Sequence, residues 1–342
     1  MDLLQIWQEE QQRIAAQMII KEDPKEQNDS QRNEAFKYLQ NLPTITNYYY
    51  FGGVDVSFPN NESDPSVAVY VILNGSGTIV YRDYEYFHLT IPYVSSYLSY
   101  REIDPLERLV NKQRKEQNKF TPCVILVDGN GILHSRRAGI ACFLGVRTGI
   151  PTIGVGKTLY CEAGLSKEIV HHGIHHCLNN LSHELKQYPK WKLYLQTTKS
   201  GLFVDRTFID PNQPPLPNTD TTTKNTRPIM SIPMKDPNSS ILQEIAPLSM
   251  GIAIKLKGNN HQILACALLG HGGRMSSKAK CKTQNPIYIS VGNNISLEEA
   301  VQVCAQQSQF RIPEPIRQAD LWGRELMRTA STDHLTNHLI NR

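Results

Sequence analysis

Val124-Ile-Leu-Val-Asp-Gly-Asn-Gly-Ile-Leu-His-Ser-Arg136 is the stretch whose reading decides the fold. Val124 to Val127 form an uninterrupted apolar run that stops at Asp128 and is followed by Gly129, Asn130 and Gly131. A continuous apolar run closed by glycines reads as a strand buried on both faces that opens into a tight turn. Gly139 to Val146 carries helical periodicity, and Ile150 to Val155 reads as a second strand. Strand, helix, strand implies a parallel pair joined by a right-handed crossover. Ligands of such sheets sit beyond the carboxyl ends of the strands, which is where Asp128 stands. Taken alone, Asp-Gly-Asn-Gly is equally a turn in which Asp128 accepts local backbone hydrogen bonds.

Upstream, Tyr48 to Phe58 is rich in strand formers and has Asp55 in its middle. Pro65 to Leu73 and Thr78 to Tyr86 read as two more strands, separated by the turn Asn74-Gly-Ser-Gly77. Leu4, Trp7, Ile14 and Met18 recur at helical spacing, so residues from about 2 to 20 form an amphipathic helix, and Pro105 to Gln117 is also helical. Downstream, Ser166 to Leu185 and Leu297 to Cys304 read as helices. Leu248 to Ile254, His261 to Leu269 and Ile287 to Ser290 read as strands. These elements define an α/β fold, a central mixed β-sheet flanked by helices. One domain spans residues 1–330, with a tail at 331–342. Within it, about 205–240 is poor in apolar residues and rich in Pro, Thr and Asn, which reads as a disordered insertion.

A chain of 342 residues with 40% hydrophobic and 20% charged residues can bury a sizeable core. The net charge of +4 permits an anionic partner without demanding one. No apolar run approaches a membrane span, and the N-terminus lacks a secretory or basic transit pattern. Seven scattered cysteines form no Cys-x-x-Cys pair, which suits reduced thiols in cytosol or nucleus.

An aspartate in the middle of a buried strand is costly unless its charge is compensated. Pairing of the Asp55 and Asp128 strands would set two carboxylates side by side, where one must protonate unless a cation separates them. Glu102, in Leu98-Ser-Tyr-Arg-Glu102, is a third candidate, although a charged residue near a helix start needs no function. Oxygen-only clusters of this kind suit Mg²⁺, with Mn²⁺ as the alternative.

Six blocks appear in one order along the chain. They are Gly53-Val-Asp-Val-Ser-Phe58, Pro92-Tyr-Val, Leu98 to Glu102, Val127 to His134 with Arg136, Gly154-Val-Gly-Lys157, and Phe310-Arg-Ile-Pro-Glu-Pro-Ile-Arg-Gln-Ala-Asp320. Together they resemble the endonuclease V family, and the C-terminal block is most similar to its eukaryotic branch. The resemblance implies a ribonuclease H-like fold and metal-dependent cleavage of inosine-containing RNA. The cut would fall at the second phosphodiester 3′ to hypoxanthine and leave 5′-phosphate and 3′-hydroxyl ends. Deoxyinosine-containing DNA is the alternative substrate, and an inosine-binding protein weakened in catalysis is a further one. Asp55, Glu102 and Asp128 would hold the metal, and Lys157 would meet the phosphate or the attacking water. Tyr93 matches the family's wedge, which fills the stack when a base flips out. Ser96, Leu98, Gly129 and Gly154 would line the base pocket, and His134 and Arg136 would contact backbone phosphate, with structural pairing to a carboxylate as their alternative. A backbone N–H facing the hypoxanthine carbonyl would be left unpaired against the amine of adenine, which discriminates the two.

The chain departs from the family pattern at three places. Asn293, in Ser290-Val-Gly-Asn293, replaces a usual His that the resemblance sets near the metal, where the change would either lower activity or alter metal preference. Ser96 replaces a Gly beside the pocket, and Gly156 replaces a small Ala or Ser. His171, His172, His175 and His176 with Cys177 have metal-capable helical spacing, although a polar helix face explains them equally. Arg274, Lys278, Lys280 and Lys282 form a basic loop that is either solvated or follows a nucleic-acid backbone. A monomer in the cytoplasm or nucleus, without membrane contact, is expected.

Overall fold

Three antiparallel strands, β1 (Tyr50–Ser57), β2 (Ser66–Asn74) and β3 (Ile79–Phe87), begin the sheet. The protein is seen here in a computed structural model that describes residues 2–22, 50–61, 63–172, 174, 208–209, 251–259, 262–270 and 285–340. The β2–β3 turn is set by the Asn74 side chain, which accepts from the backbone N–H groups of Ser76 and Thr78. β4 (Val124–Asp128) then lies parallel to β1, α3 (Ile140–Thr148) crosses over, and β5 (Thr152–Gly156) lies parallel to β4. The sheet continues with β6 (Phe208–Ile209), β7 (Gly251–Lys257), β8 (Ile263–Gly270) and β9 (Ile287–Asn293). Among the described residues the order is β3-β2-β1-β4-β5-β9-β8-β7-β6, a mixed sheet of nine strands.

Helices cover both faces, and the period-two alternation of β2 shows how. Ala68, Tyr70 and Ile72 point into a core shared with α1 (Leu3–Gln17), α2 (Ser99–Glu116), α3 and α4 (Leu297–Gln307). Val67, Val69, Val71 and Leu73 point the other way, against Ala319 and Trp322 of α5 (Glu314–Ile340). Both faces of β2 are therefore buried, in keeping with its apolar sequence. α4 starts at a capping box in which the Ser296 hydroxyl accepts from Glu299 N–H and the Glu299 carboxylate accepts from Ser296 N–H. Gly53 lets α5 lie directly on β1, because a Cβ there would stand 2.2 Å from the backbone of Pro315.

Two boundaries differ from the sequence reading. α2 begins at Ser99, six residues before the proline taken as its start. Pro105 forfeits one backbone donor, but burial of Tyr100 and Ile103 in the added turn outweighs that loss. α5 runs to Ile340, through most of the 331–342 stretch expected as a tail. The insertion at about 205–240, apart from β6, lies outside the described residues, as do His175, His176, Cys177 and the basic loop of Arg274 to Lys282.

Candidate active site

The carboxyl ends of β1, β4 and β5 converge, and the side chains they carry are Asp55, Asp128 and Lys157. Val54 of β1 pairs with Val127 of β4, so the residues one step on, Asp55 and Asp128, stand side by side. Asp55 is only 8% exposed and shares a hydrogen bond with Asp128. Burial, then that hydrogen bond and the Asp128 charge, hold the Asp55 carboxyl far above the usual carboxylate range. Glu102, 6% exposed in the first turn of α2, is pushed up to about 8 by burial and by the charge of Asp128.

Lys157 is the counter-charge. Its Nζ lies 2.5 Å from Asp128 and 3.6 Å from Asp320 on α5. Burial alone would lower the Lys157 pKa, but Asp128, Asp55 and Asp320 outweigh it and raise it above the ordinary value. Asp320 also pairs with Arg324 at 2.8 Å. Sequence reasoning quoted Asp320 within a motif but gave it no role. Only the crossing of α5 over β1, permitted by Gly53, brings it to the cluster.

The donor set fits a hard divalent cation, being composed of oxygen, buried and self-repelling. The Asp55–Asp128 hydrogen bond is what two such carboxyls form around a proton, and a cation relieves the same repulsion. Among the described residues no three Asp, Glu, His or Cys side chains stand as a ready ligand set, so the carboxylates would have to turn to hold an ion.

The glycine turn after Asp128 rests on β5. A Cβ on Gly154 would stand 2.2 Å from Gly131 N and 2.9 Å from Gly129 O, so only glycine allows this approach. Gly129 N–H donates to Val155 O, and Gly131 N–H to the Ser290 hydroxyl at 2.8 Å. Asn130 Oδ1, beside Gly156, is buried without a partner. Tyr93 is 68% exposed, and the Arg101 guanidinium lies over both its ring and that of Phe58, at 5.8 and 5.6 Å. Leu98, at the start of α2, is also exposed.

Three expected roles meet a different environment. His134 is buried and points to the Ser96 carbonyl at 3.0 Å, and Arg136 reaches the same atom at 2.9 Å. Both brace the Tyr93 loop, where free phosphate ligands were expected. Asn293 is not at the carboxylate cluster: it pairs with Thr152, at the opposite end of β5 from Lys157. Its side chain accepts from Ile19 N–H at 2.8 Å and donates to Gly145 O at 3.1 Å, tying the chain after α1 to α3.

A β3-β2-β1-β4-β5 sheet with acidic side chains at the tips of β1 and β4 defines the ribonuclease H-like class. Within it, the family model described as Endonuclease V matches residues 34–201 and 254–321, and the chain belongs to that family. Endonuclease V of Homo sapiens is 30% identical over 96% of this chain and 84% of its own length. The Mus musculus protein is 30% identical over 96% of this chain and 70% of its own. The crystal structure of the human protein superposes with a TM-score of 0.61 at 28% identity, covering 96% of this chain and 99% of that one. A Ciona intestinalis Endonuclease V, solved in complex with a 24mer DNA containing an inosine followed by a ribo-adenosine, shares the fold with a TM-score of 0.59 at 23% identity, over 96% of this chain and 98% of that one.

Proposed function

We propose that the protein hydrolyses inosine-containing RNA in a metal-dependent reaction, cutting the second phosphodiester 3′ to hypoxanthine and leaving 5′-phosphate and 3′-hydroxyl ends. The observation that carries this reading is the buried Asp55–Asp128 pair with Glu102 beside it, at the strand tips of a nuclease fold. Asp55, Glu102 and Asp128 would hold Mg²⁺ or Mn²⁺, with Asp320 adjacent. Such an ion, when bound, makes water a nucleophile near neutral pH and offsets charge on the departing 3′ oxygen.

The chain's own groups supply the rest. Lys157 brings a fixed positive charge to the carboxylates, where a phosphate's developing charge must be accommodated. Tyr93, exposed on its loop, fills the stack left by a flipped base. The Gly129 and Gly131 N–H groups are committed to Val155 and Ser290, so the base edge would be read by another backbone N–H of this segment, which donates to the carbonyl of hypoxanthine and is left unpaired against the amine of adenine. Deoxyinosine in DNA is the second reading. The Ciona ligand favours it by being DNA, and favours ribose by the ribo-adenosine after its inosine.

Matched RNA and DNA oligonucleotides bearing inosine or adenosine, incubated with Mg²⁺ or Mn²⁺, test the proposal. Inosine RNA should be cut and adenosine RNA left whole. Equal cutting of both would refute the base-selective pocket. Faster cutting of deoxyinosine DNA would select the second reading, and intact strands under every metal would overturn both.

A further inference from the structure

One backbone atom anchors the loop that carries Tyr93. The Ser96 carbonyl oxygen accepts from Gln11 Nε2 at 2.9 Å, His134 Nε2 at 3.0 Å and Arg136 Nη2 at 2.9 Å. Arg136 also donates to the Gln11 side chain and lies 4.2 Å over the Tyr97 ring. His134 can donate from Nε2 because its Nδ1 accepts the Arg136 N–H at 3.3 Å, and burial lowers its pKa to about 4, leaving the ring neutral. Ser96 itself has φ 69°, the left-handed region that favours glycine. The side chain that glycine lacks is in use. Ser96 Oγ lies 2.7 Å from the Tyr160 hydroxyl, and the Tyr160 ring stacks on His134 at 5.4 Å. Tyr160 follows Lys157 by three residues, on the chain leaving β5.

We infer that Tyr160 is a positioning residue whose hydroxyl latches Ser96 and so ties the Tyr93 loop to the segment that carries Lys157. The three bonds to the Ser96 carbonyl hold the loop from α1 and from the His134–Arg136 turn. The Tyr160 hydroxyl bonds Ser96 directly to the β5 end, beside the stacking of its ring on His134, so base pocket and phosphate side are held as one unit. Without the latch, the arrangement that receives substrate is less populated. Apparent affinity falls by that fraction, and the rate at saturation does not. One neutral hydrogen bond sets such a population by about three- to tenfold.

Tyr160→Phe keeps the ring on His134 and removes only the hydroxyl. Ser96→Ala removes the same bond from the other side without changing the backbone strain, since alanine is as disfavoured at φ 69° as serine. Amide hydrogen exchange in the free full-length protein should quicken at residues 93–98 in either variant, a readout that needs no substrate. On inosine RNA, which rests on the proposed function, each variant should raise KM about three- to tenfold with kcat within about twofold. The double variant should do no more than either single one. Unchanged exchange at 93–98 in both variants, a kcat loss at constant KM, or multiplying effects in the double variant would overturn the latch. Wild type that leaves inosine strands intact would sink the proposed function instead, while the exchange experiment would still decide the latch.

Discussion

Gly154→Ala asks whether the Asp128 turn is held in place by β5. The new Cβ would stand 2.2 Å from Gly131 N, 2.6 Å from Asn130 C and 2.9 Å from Gly129 O, all backbone atoms that no rotamer change can move aside. Ordinary contacts lie at about 3.5 Å, so the turn must retreat by roughly 1 Å or β5 must bow by as much. Forced overpacking of this kind costs about 1–3 kcal/mol. Because the turn leaves directly from Asp128, a displacement of about 1 Å should lower turnover about 10²-fold. The control is Gly77→Ala, at φ 82° with no heavy atom within 4 Å of the added Cβ. It should cost about 1–2 kcal/mol through backbone strain and leave turnover intact. Thermal melts and single-turnover cleavage of an inosine oligonucleotide, run on both variants, separate the effects. Wild-type turnover in Gly154→Ala, or an equal loss in Gly77→Ala, would refute the reasoning.

Three other outcomes follow from the same geometry. Burial and Asp128 raise Glu102 from 4.5 to about 8, so the folded protein binds that proton more tightly than the unfolded chain. Its contribution to stability is complete below 4.5 and is lost as pH rises through about 8. An ion must displace that proton, so the melting-temperature gain from Mn²⁺ should be larger at about pH 8.5 than at about pH 6; equal gains would count against a shared site. Asn293→Ala orphans Ile19 N–H and removes one of the two donors to Gly145 O, which keeps the Gly149 N–H, and should cost about 1–3 kcal/mol in a denaturant titration with kcat unchanged; a kcat loss at full stability would return Asn293 to the chemistry. Lys157→Met removes the cation shared by Asp128 and Asp320 and should slow single-turnover cleavage about 10²-fold; an unaltered rate would leave Lys157 as an ion-pair partner only.

The strand-to-turn reading of Val124 to Gly131 was sound because a doubly covered parallel strand leaves a continuous apolar run, and that signature is local. Asp55 and Asp128 were legible as a pair for the same reason: each interrupts or ends such a run, and parallel pairing fixes their register. Asp320 was not legible as a member, since its place depends on α5 crossing β1 through contacts at Gly53 and Gly323, which no local pattern reports. Asn293 misled in the opposite way. Its motif adjoins the site in sequence likeness, yet the antiparallel pairing of β9 with β5 carries it to the far end of the strand. His134 and Arg136 are matched to phosphate contacts by the family resemblance, whereas in the structure the buried His134 and the half-buried Arg136 both reach the Ser96 carbonyl. The start of α2 was missed because Pro105 is a strong helix-start signal that buried apolar contacts overrode.

Asp128→Asn addresses the centre of the site with almost no change of shape. Asp128 bears on Asp55, Glu102 and Lys157 together. Single-turnover cleavage of an inosine RNA, measured beside the melting temperature, should show a folded protein whose cutting is slowed by about 10³-fold or more, roughly 4 kcal/mol of lost transition-state stabilisation. A folded Asp128→Asn protein that cuts at the wild-type rate would remove the carboxylate cluster from the chemistry.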